Sequence, residues 1–154
     1  NQSIVCSFMK KFVLQLAFWI LLFSSQLTLA ELIKDDAILG VWMTAEQEGL
    51  IKIYKNAETI EGMVFKSLNP EDANRVDINN PDPEQRNRLL MGLVILKGFN
   101  FDGVKRWTGG QIYDPKTGLT YQASLELINE NKLALRGYVG IPLFGRTENW
   151  TRKN

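Results

Sequence analysis

Leu119-Thr120-Tyr121-Gln122-Ala123-Ser124-Leu125-Glu126-Leu127-Ile128 is the stretch on which the fold turns. Tyr121, Ala123, Leu125 and Leu127 alternate with Gln122, Ser124 and Glu126, the period of a strand with one face buried and the other in water. Turns bound it on both sides. Asp114-Pro115-Lys116-Thr117-Gly118 precedes it, with Pro presetting the bend and Gly tolerating a left-handed exit. Asn129-Glu130-Asn131 follows it and leads to a second strand-like run, Lys132 to Val139. The same rhythm extends outward to Leu39–Thr44, Leu50–Lys55, Thr59–Lys66, Leu93–Phe101, Gly110–Tyr113 and Arg146–Arg152. About eight short strands at this spacing predict an all-β antiparallel barrel or sandwich.

One segment breaks the rhythm. Residues 67–92 are long and polar, centred on Asn79-Asn80-Pro81-Asp82-Pro83. Asp82 is placed to cap a short helix with Pro83 at its first position, running through Glu84, Gln85 and Arg86. Arg86 and Arg88 are placed to pair with the acids of the loop and pin it. Asp77, Asn79, Asn80 and Asp82 offer oxygens but lack the Gly turn and terminal Glu of a calcium loop. Turn and cap roles therefore lead, and no metal is expected.

The N-terminal region reads as a targeting segment. Lys10 and Lys11 precede an apolar run from Phe12 to Phe23, and Thr28 and Ala30 place small residues at the −3 and −1 positions of a cleavage site. The apolar core is about 12 residues, short of the roughly 20 needed to span a bilayer. Residues 9–30 are thus expected to be a signal peptide cut near Ala30, residues 1–8 an upstream extension outside the fold, and residues 31–154 a single domain. The expected location is periplasmic or secreted, with no stable membrane anchor left.

Residues 1–30 hold two of the 18 basic residues and none of the 17 acidic ones, so the expected domain is close to neutral. It has no basic stripe for nucleic acid. The chain has no His, and its one cysteine, Cys6, lies upstream of the expected domain. A Ser-His-Asp triad, a thiol nucleophile and a His- or Cys-ligated zinc site are thereby excluded from that domain. Carboxylate chemistry through Asp77, Asp82 or Asp114 is what remains for an enzyme.

Gly40-Val41-Trp42 opens the first strand and resembles the G-x-W opening of lipocalin-like (calycin) barrels. The resemblance implies that Trp42 closes one barrel end beneath an arginine of the last strand, Arg146 or Arg152. A wider set comprises Asn80-Pro81-Asp82 with Arg86 and Arg88, Gly92, the run Trp107 to Pro115, Gly118 to Tyr121, Leu135 to Tyr138, and Arg146 through Trp150. With these, the chain resembles the bacterial domain-of-unknown-function family 2147, small exported proteins described as lipocalin-like. That resemblance implies a lipocalin-like antiparallel barrel of about eight strands with one long loop. It implies no reaction and no cofactor.

Trp107, Tyr113, Tyr121 and Tyr138 concentrate aromatics beside Gly109 and Gly110, as a pocket wall or as a barrel core with polar-tipped rings at its rim. Arg136 and Tyr138, two residues apart, share one sheet face. The pair resembles the Arg-x-Tyr that fatty-acid-binding barrels use to hold a carboxylate. Facing inward, they would hold an anionic head group, and Glu126 could balance the guanidinium without ligand. The competing face, Tyr121, Ala123, Leu125 and Leu127 with Leu133 and Leu135, buries more apolar area at about 25 cal/mol per Å². It is therefore expected to be the core, leaving a ligand site at a barrel mouth lined by Trp107, Tyr113 and the 77–88 loop. The leading functional expectation is a non-catalytic exported barrel that binds a small apolar or amphipathic ligand. The alternatives are an envelope interaction module with a solid core and, third, a carboxylate enzyme.

Overall fold

Alternation along the chain produces eight strands: β1 (Gly40–Met43), β2 (Gly49–Asn56), β3 (Thr59–Ser67), β4 (Val94–Phe101), β5 (Arg106–Asp114), β6 (Leu119–Asn129), β7 (Lys132–Tyr138) and β8 (Arg146–Lys153). In the computed structural model, which describes residues 33–72 and 74–153, each pairs with its neighbours in sequence. β8 pairs back onto β1 and closes the barrel. The expected signal segment and the residues before it lie outside the described residues.

The Leu face is the inside. Ala123, Leu125 and Leu127 on β6 and Leu133 and Leu135 on β7 are buried, and they pack with Ile51, Ile53, Ile60, Leu96 and Phe99 from the other side of the barrel. Two inward glycines make room for bulky neighbours. A Cβ on Gly110 would lie 2.5 Å from the Phe99 ring, and one on Gly62 would lie 2.8 Å from Leu96 Cδ1. This half of the barrel is solid.

β5 begins earlier than the sequence pattern indicates. Gly109 takes a left-handed φ of 78° and the β5–β6 register shifts between Trp107 and Gly110, so the chain bulges without leaving the sheet. A bulge adds one residue to one strand and reverses which residues face inward beyond it. Trp107 therefore points into the core, and Tyr113, at the same parity in sequence, points out.

The two barrel ends differ. One carries the 57–58, 102–105 and 130–131 turns together with residues 35–39, and it is closed. Trp42 Nε1 donates to Ile38 O (2.9 Å) and Trp107 Nε1 to Asp35 O (3.2 Å). Arg152 donates to Leu39 O (2.7 Å) and Ala37 O (2.6 Å) and lies 4.2 Å from the Trp42 ring centroid. The arginine over Trp42 is thus Arg152. Arg146 does not fill that place; its side chain is exposed at the opposite end. That opposite end carries the β1–β2 turn, the long β3–β4 connection, the 115–118 turn and the β7–β8 connection.

Candidate functional site

Toward the second end the inner face is no longer sealed. Val64, Ile112, Tyr121, Gly137 and Glu148 are half-buried, whereas the inward residues below them are buried. A Cβ on Gly137 would meet Ile112 Cγ2 at 3.8 Å and Tyr121 Cβ at 3.9 Å, which sets these three on one inner wall. The inner face is therefore open toward this end, like a shallow cup, and apolar there except for Glu148.

Two buried polar atoms have no hydrogen-bond partner among the described residues, Thr44 Oγ1 and Trp150 Nε1. Thr44 lies two residues beyond Trp42 on the same strand face. The β1–β8 register, which pairs Met43 with Thr151, sets Thr44 opposite Trp150 at the next step. An unmet buried donor or acceptor costs about 1–3 kcal/mol, so such groups as a rule find partners. The indole only donates, and the hydroxyl does both. Glu148, the next inward residue of β8, is half-buried, with its Oε1 3.9 Å from Arg146 Nε.

The long connection lies outside the barrel, and Asp77 organises it. Fully buried, Asp77 accepts from Tyr113 Oη (2.6 Å), from Asn80 Nδ2 (2.7 Å) and twice from Arg88, through Nε (3.0 Å) and Nη2 (2.8 Å). Burial on its own pushes the Asp77 carboxyl up. The bonds from Tyr113, Asn80 and Arg88, with the Arg88 charge, more than offset it and hold the group below the ordinary carboxylate range. Burial and the bond to Asp77 push the Tyr113 phenol up. Asp82 caps the Pro83–Gln85 turn, accepting from Glu84 N at 3.0 Å, as its sequence indicates. Arg86 donates to the Asn80 carbonyl (2.8 Å) rather than to an acid. Asn79 Nδ2 donates to Lys116 O (2.9 Å), which ties the loop to the 115–118 turn.

Beside this network, on the outer face, runs a half-open groove of about 320 Å³ whose walls include Gln85, Arg88, Ile95, Lys97, Gln111 and Tyr113. Its lining is mixed, and of its two cations, Arg88 and Lys97, Arg88 is already paired with Asp77. The carboxylates available for chemistry are similarly committed. Asp77 and Asp82 serve the loop, and Asp114 accepts from Lys116 N and Thr117 Oγ1 in its own turn.

The five expected ligand-site residues are thus divided among four places. Trp107 is fully buried at the closed end, tilted against Phe101 with ring centroids 4.9 Å apart. Tyr113 faces the loop outside. Arg136 and Tyr138 are on the outer face, where Arg136 donates to Pro142 O (2.7 Å), Leu143 O (3.2 Å) and Thr147 Oγ1 (2.7 Å). The inward carboxylate-holding reading of that pair is therefore overturned. Its suggested counter-ion, Glu126, is held instead by Lys105 and Arg106. Tyr121 alone among the five faces the cup. Sequence alone does not single out Thr44, the unpaired indole N–H of Trp150 or Glu148 as site groups. Strand parity on β1 and β8 is the available signal, but it requires the closing register.

A family model described as "Uncharacterized protein conserved in bacteria (DUF2147)" matches residues 40–152. The chain belongs to this family. The family match spans the barrel from β1 to Arg152, so it includes both halves of the closing pair. Among solved structures, HP1028 from the human pathogen Helicobacter pylori, described as belonging to the lipocalin family, superposes with a TM-score of 0.70. Identity is 22%, over 75% of this chain and 82% of that one. The fold of this family member is accordingly a lipocalin-like barrel. No curated protein matches it.

Proposed function

We propose that this protein is exported, cut near Ala30, and acts without catalysis in the periplasm or outside the cell by holding a small apolar or amphipathic molecule in the open half of its barrel. The observation that supports the reading is a pair of buried polar atoms without partners, Thr44 Oγ1 and Trp150 Nε1, on neighbouring strands of a barrel whose inner face is half-exposed toward one end. An apolar recess with a few convergent polar groups is the usual form of a small-molecule site. A ligand with an oxygen acceptor, such as a carbonyl, hydroxyl or carboxyl group, would satisfy the indole N–H while its apolar part lies against Ile112 and Tyr121. An eight-stranded barrel has room for one small ligand at most, and the packing of Phe99 over Gly110 confines it to the mouth half.

Titration with a fluorescent-labelled fatty acid tests this. Thr44→Val removes a hydroxyl at nearly constant shape, and Trp150→Phe removes the indole N–H together with one ring, so its folding is checked alongside by melting temperature. Each is expected to weaken binding by about tenfold, the worth of one hydrogen bond of about 1.4 kcal/mol. Arg136→Ala is expected to leave it unchanged. Absence of saturable binding across labelled fatty acids, alcohols and esters would sink the reading, as would a loss confined to Arg136→Ala.

A further inference from the structure

The β7–β8 connection, Val139-Gly140-Ile141-Pro142-Leu143-Phe144-Gly145, is apolar throughout and stands out from the rim of the open end. Val139 is 74% exposed, Leu143 75% and Phe144 79%. Apolar side chains scattered singly over a surface need no explanation, but a cluster does. The exposed large hydrophobics are also unevenly placed. Among the described residues, Val104 and Ile128 lie toward the closed end, Leu68 and Leu119 join this loop at the open one, and Phe65, Ile78 and Leu89 lie on β3 and the long connection.

The backbone of the loop distinguishes one kind of surface from another. Phe144 N donates to Ile141 O (3.3 Å) and Gly145 N to Pro142 O (3.0 Å), and Pro142 has no N–H to satisfy. Arg136 then reaches up from β7 and donates to the carbonyls of Pro142 and Leu143. The tip therefore meets the carbonyls of Ile141, Pro142 and Leu143 and the N–H groups of Phe144 and Gly145 from within the chain. A loop that meets another protein can pair its backbone with that partner. A loop that enters hydrocarbon has no partner there and must be satisfied internally. The two guanidinium groups at its base, Arg136 and Arg146, lie where anionic head groups would be if the tip were immersed.

We infer that the 139–145 loop is a membrane-surface docking element that inserts Leu143 and Phe144 into the interfacial layer of an anionic bilayer. Docking in this way turns the barrel mouth toward the lipid. It does not depend on whether the cup holds a ligand, because the loop lies outside the inner wall.

Protein purified from its own cells, mixed with phosphatidylglycerol-containing vesicles, provides the test. Cosedimentation is expected, with partitioning reduced at least tenfold in Leu143→Ser/Phe144→Ser and reduced on pure phosphatidylcholine. Both residues are solvent-exposed, so the double variant should keep the wild-type melting temperature. In a separate Phe144→Trp variant, brominated lipid should quench the new indole and its emission should shift to the blue on binding. Sedimentation unaffected by the double substitution would overturn the proposal, as would emission from the indole of the Phe144→Trp variant that ignores brominated lipid. A self-association of the wild type that the double substitution abolishes, with no vesicle binding, would assign the loop to a contact between copies and also overturn it.

Discussion

Arg152 lies across the face of Trp42, its Cζ 4.2 Å from the ring centroid, while its guanidinium donates to the carbonyls of Ala37 and Leu39. The last strand thereby fastens the segment before the first. Burial pushes the Arg152 guanidinium down, though an arginine remains charged at any ordinary pH. The carbonyls it meets, and the indole face beneath it, replace the water it gives up.

Trp42→Ala is expected to cost about 3–5 kcal/mol, the range for truncating a large buried aromatic. Arg152→Met, which keeps much of the stem, should cost about 2–4 kcal/mol because it leaves three carbonyls at a closed end, those of Ala37, Leu39 and Glu130, without this donor. Urea denaturation measures both. A loss under about 1 kcal/mol in either, the size of a surface effect, would refute this account of the closed end.

Gly118 turns with φ at 72°, and a Cβ there would lie 2.0 Å from the Asn79 carbonyl oxygen. Gly103, at φ 84°, has nothing within 4 Å of that position. Both alanine substitutions incur the backbone cost of about 1 kcal/mol or slightly more. Gly118→Ala should lose at least about 2 kcal/mol beyond Gly103→Ala and should raise amide exchange across 77–80. Equal losses in the two variants would show that the loop does not press on the turn.

The Asp77 network predicts a pH profile. Its folded carboxyl titrates below the ordinary value of about 3.9, so its contribution is complete above that value and is lost as pH falls through the lower folded one. Tyr113 is shifted up, so its contribution is complete below the ordinary value of about 10 and is lost as pH rises through the folded one. Asp77→Asn is expected to cost about 2–3 kcal/mol at pH 7. The gap between wild type and variant should be flat from about pH 5 to 9 and shrink below about pH 4. A gap that widens in acid would contradict the network.

Export with cleavage after Ala30 is checked by intact mass. Protein recovered from the envelope should match a chain starting at Glu31, and a mass that retains Met9 would mean an uncut anchor.

The strands are legible because a one-sided sheet writes its period directly into the sequence, as Tyr121 to Leu127 does. Trp42 is legible as a closing residue through resemblance rather than period, since Gly40-Val41-Trp42 is a short local match to the opening of lipocalin-like barrels. What is not legible depends on register. Arg146 and Arg152 share a parity on β8, and only the pairing of β8 with β1 decides that Arg152 reaches Trp42. Trp107 and Tyr113 share a parity as well, and the bulge between them sends one inside and the other out. The contact between Asp77 and Tyr113 joins residues 36 apart in sequence, and no local pattern announces it.

The fastening of residues 35–39 by Arg152 also bears on when the chain can fold. β1 has only four residues, and one of its two neighbours is the final strand. Until residue 152 is available, the floor lacks its clamp and both sheet edges stand open. Pairings this distant in sequence form slowly, because the intervening loop must close before any contact rewards it. A chain that has not yet docked β8 therefore stays unsealed along both edges of its sheet, and the barrel closes late rather than strand by strand.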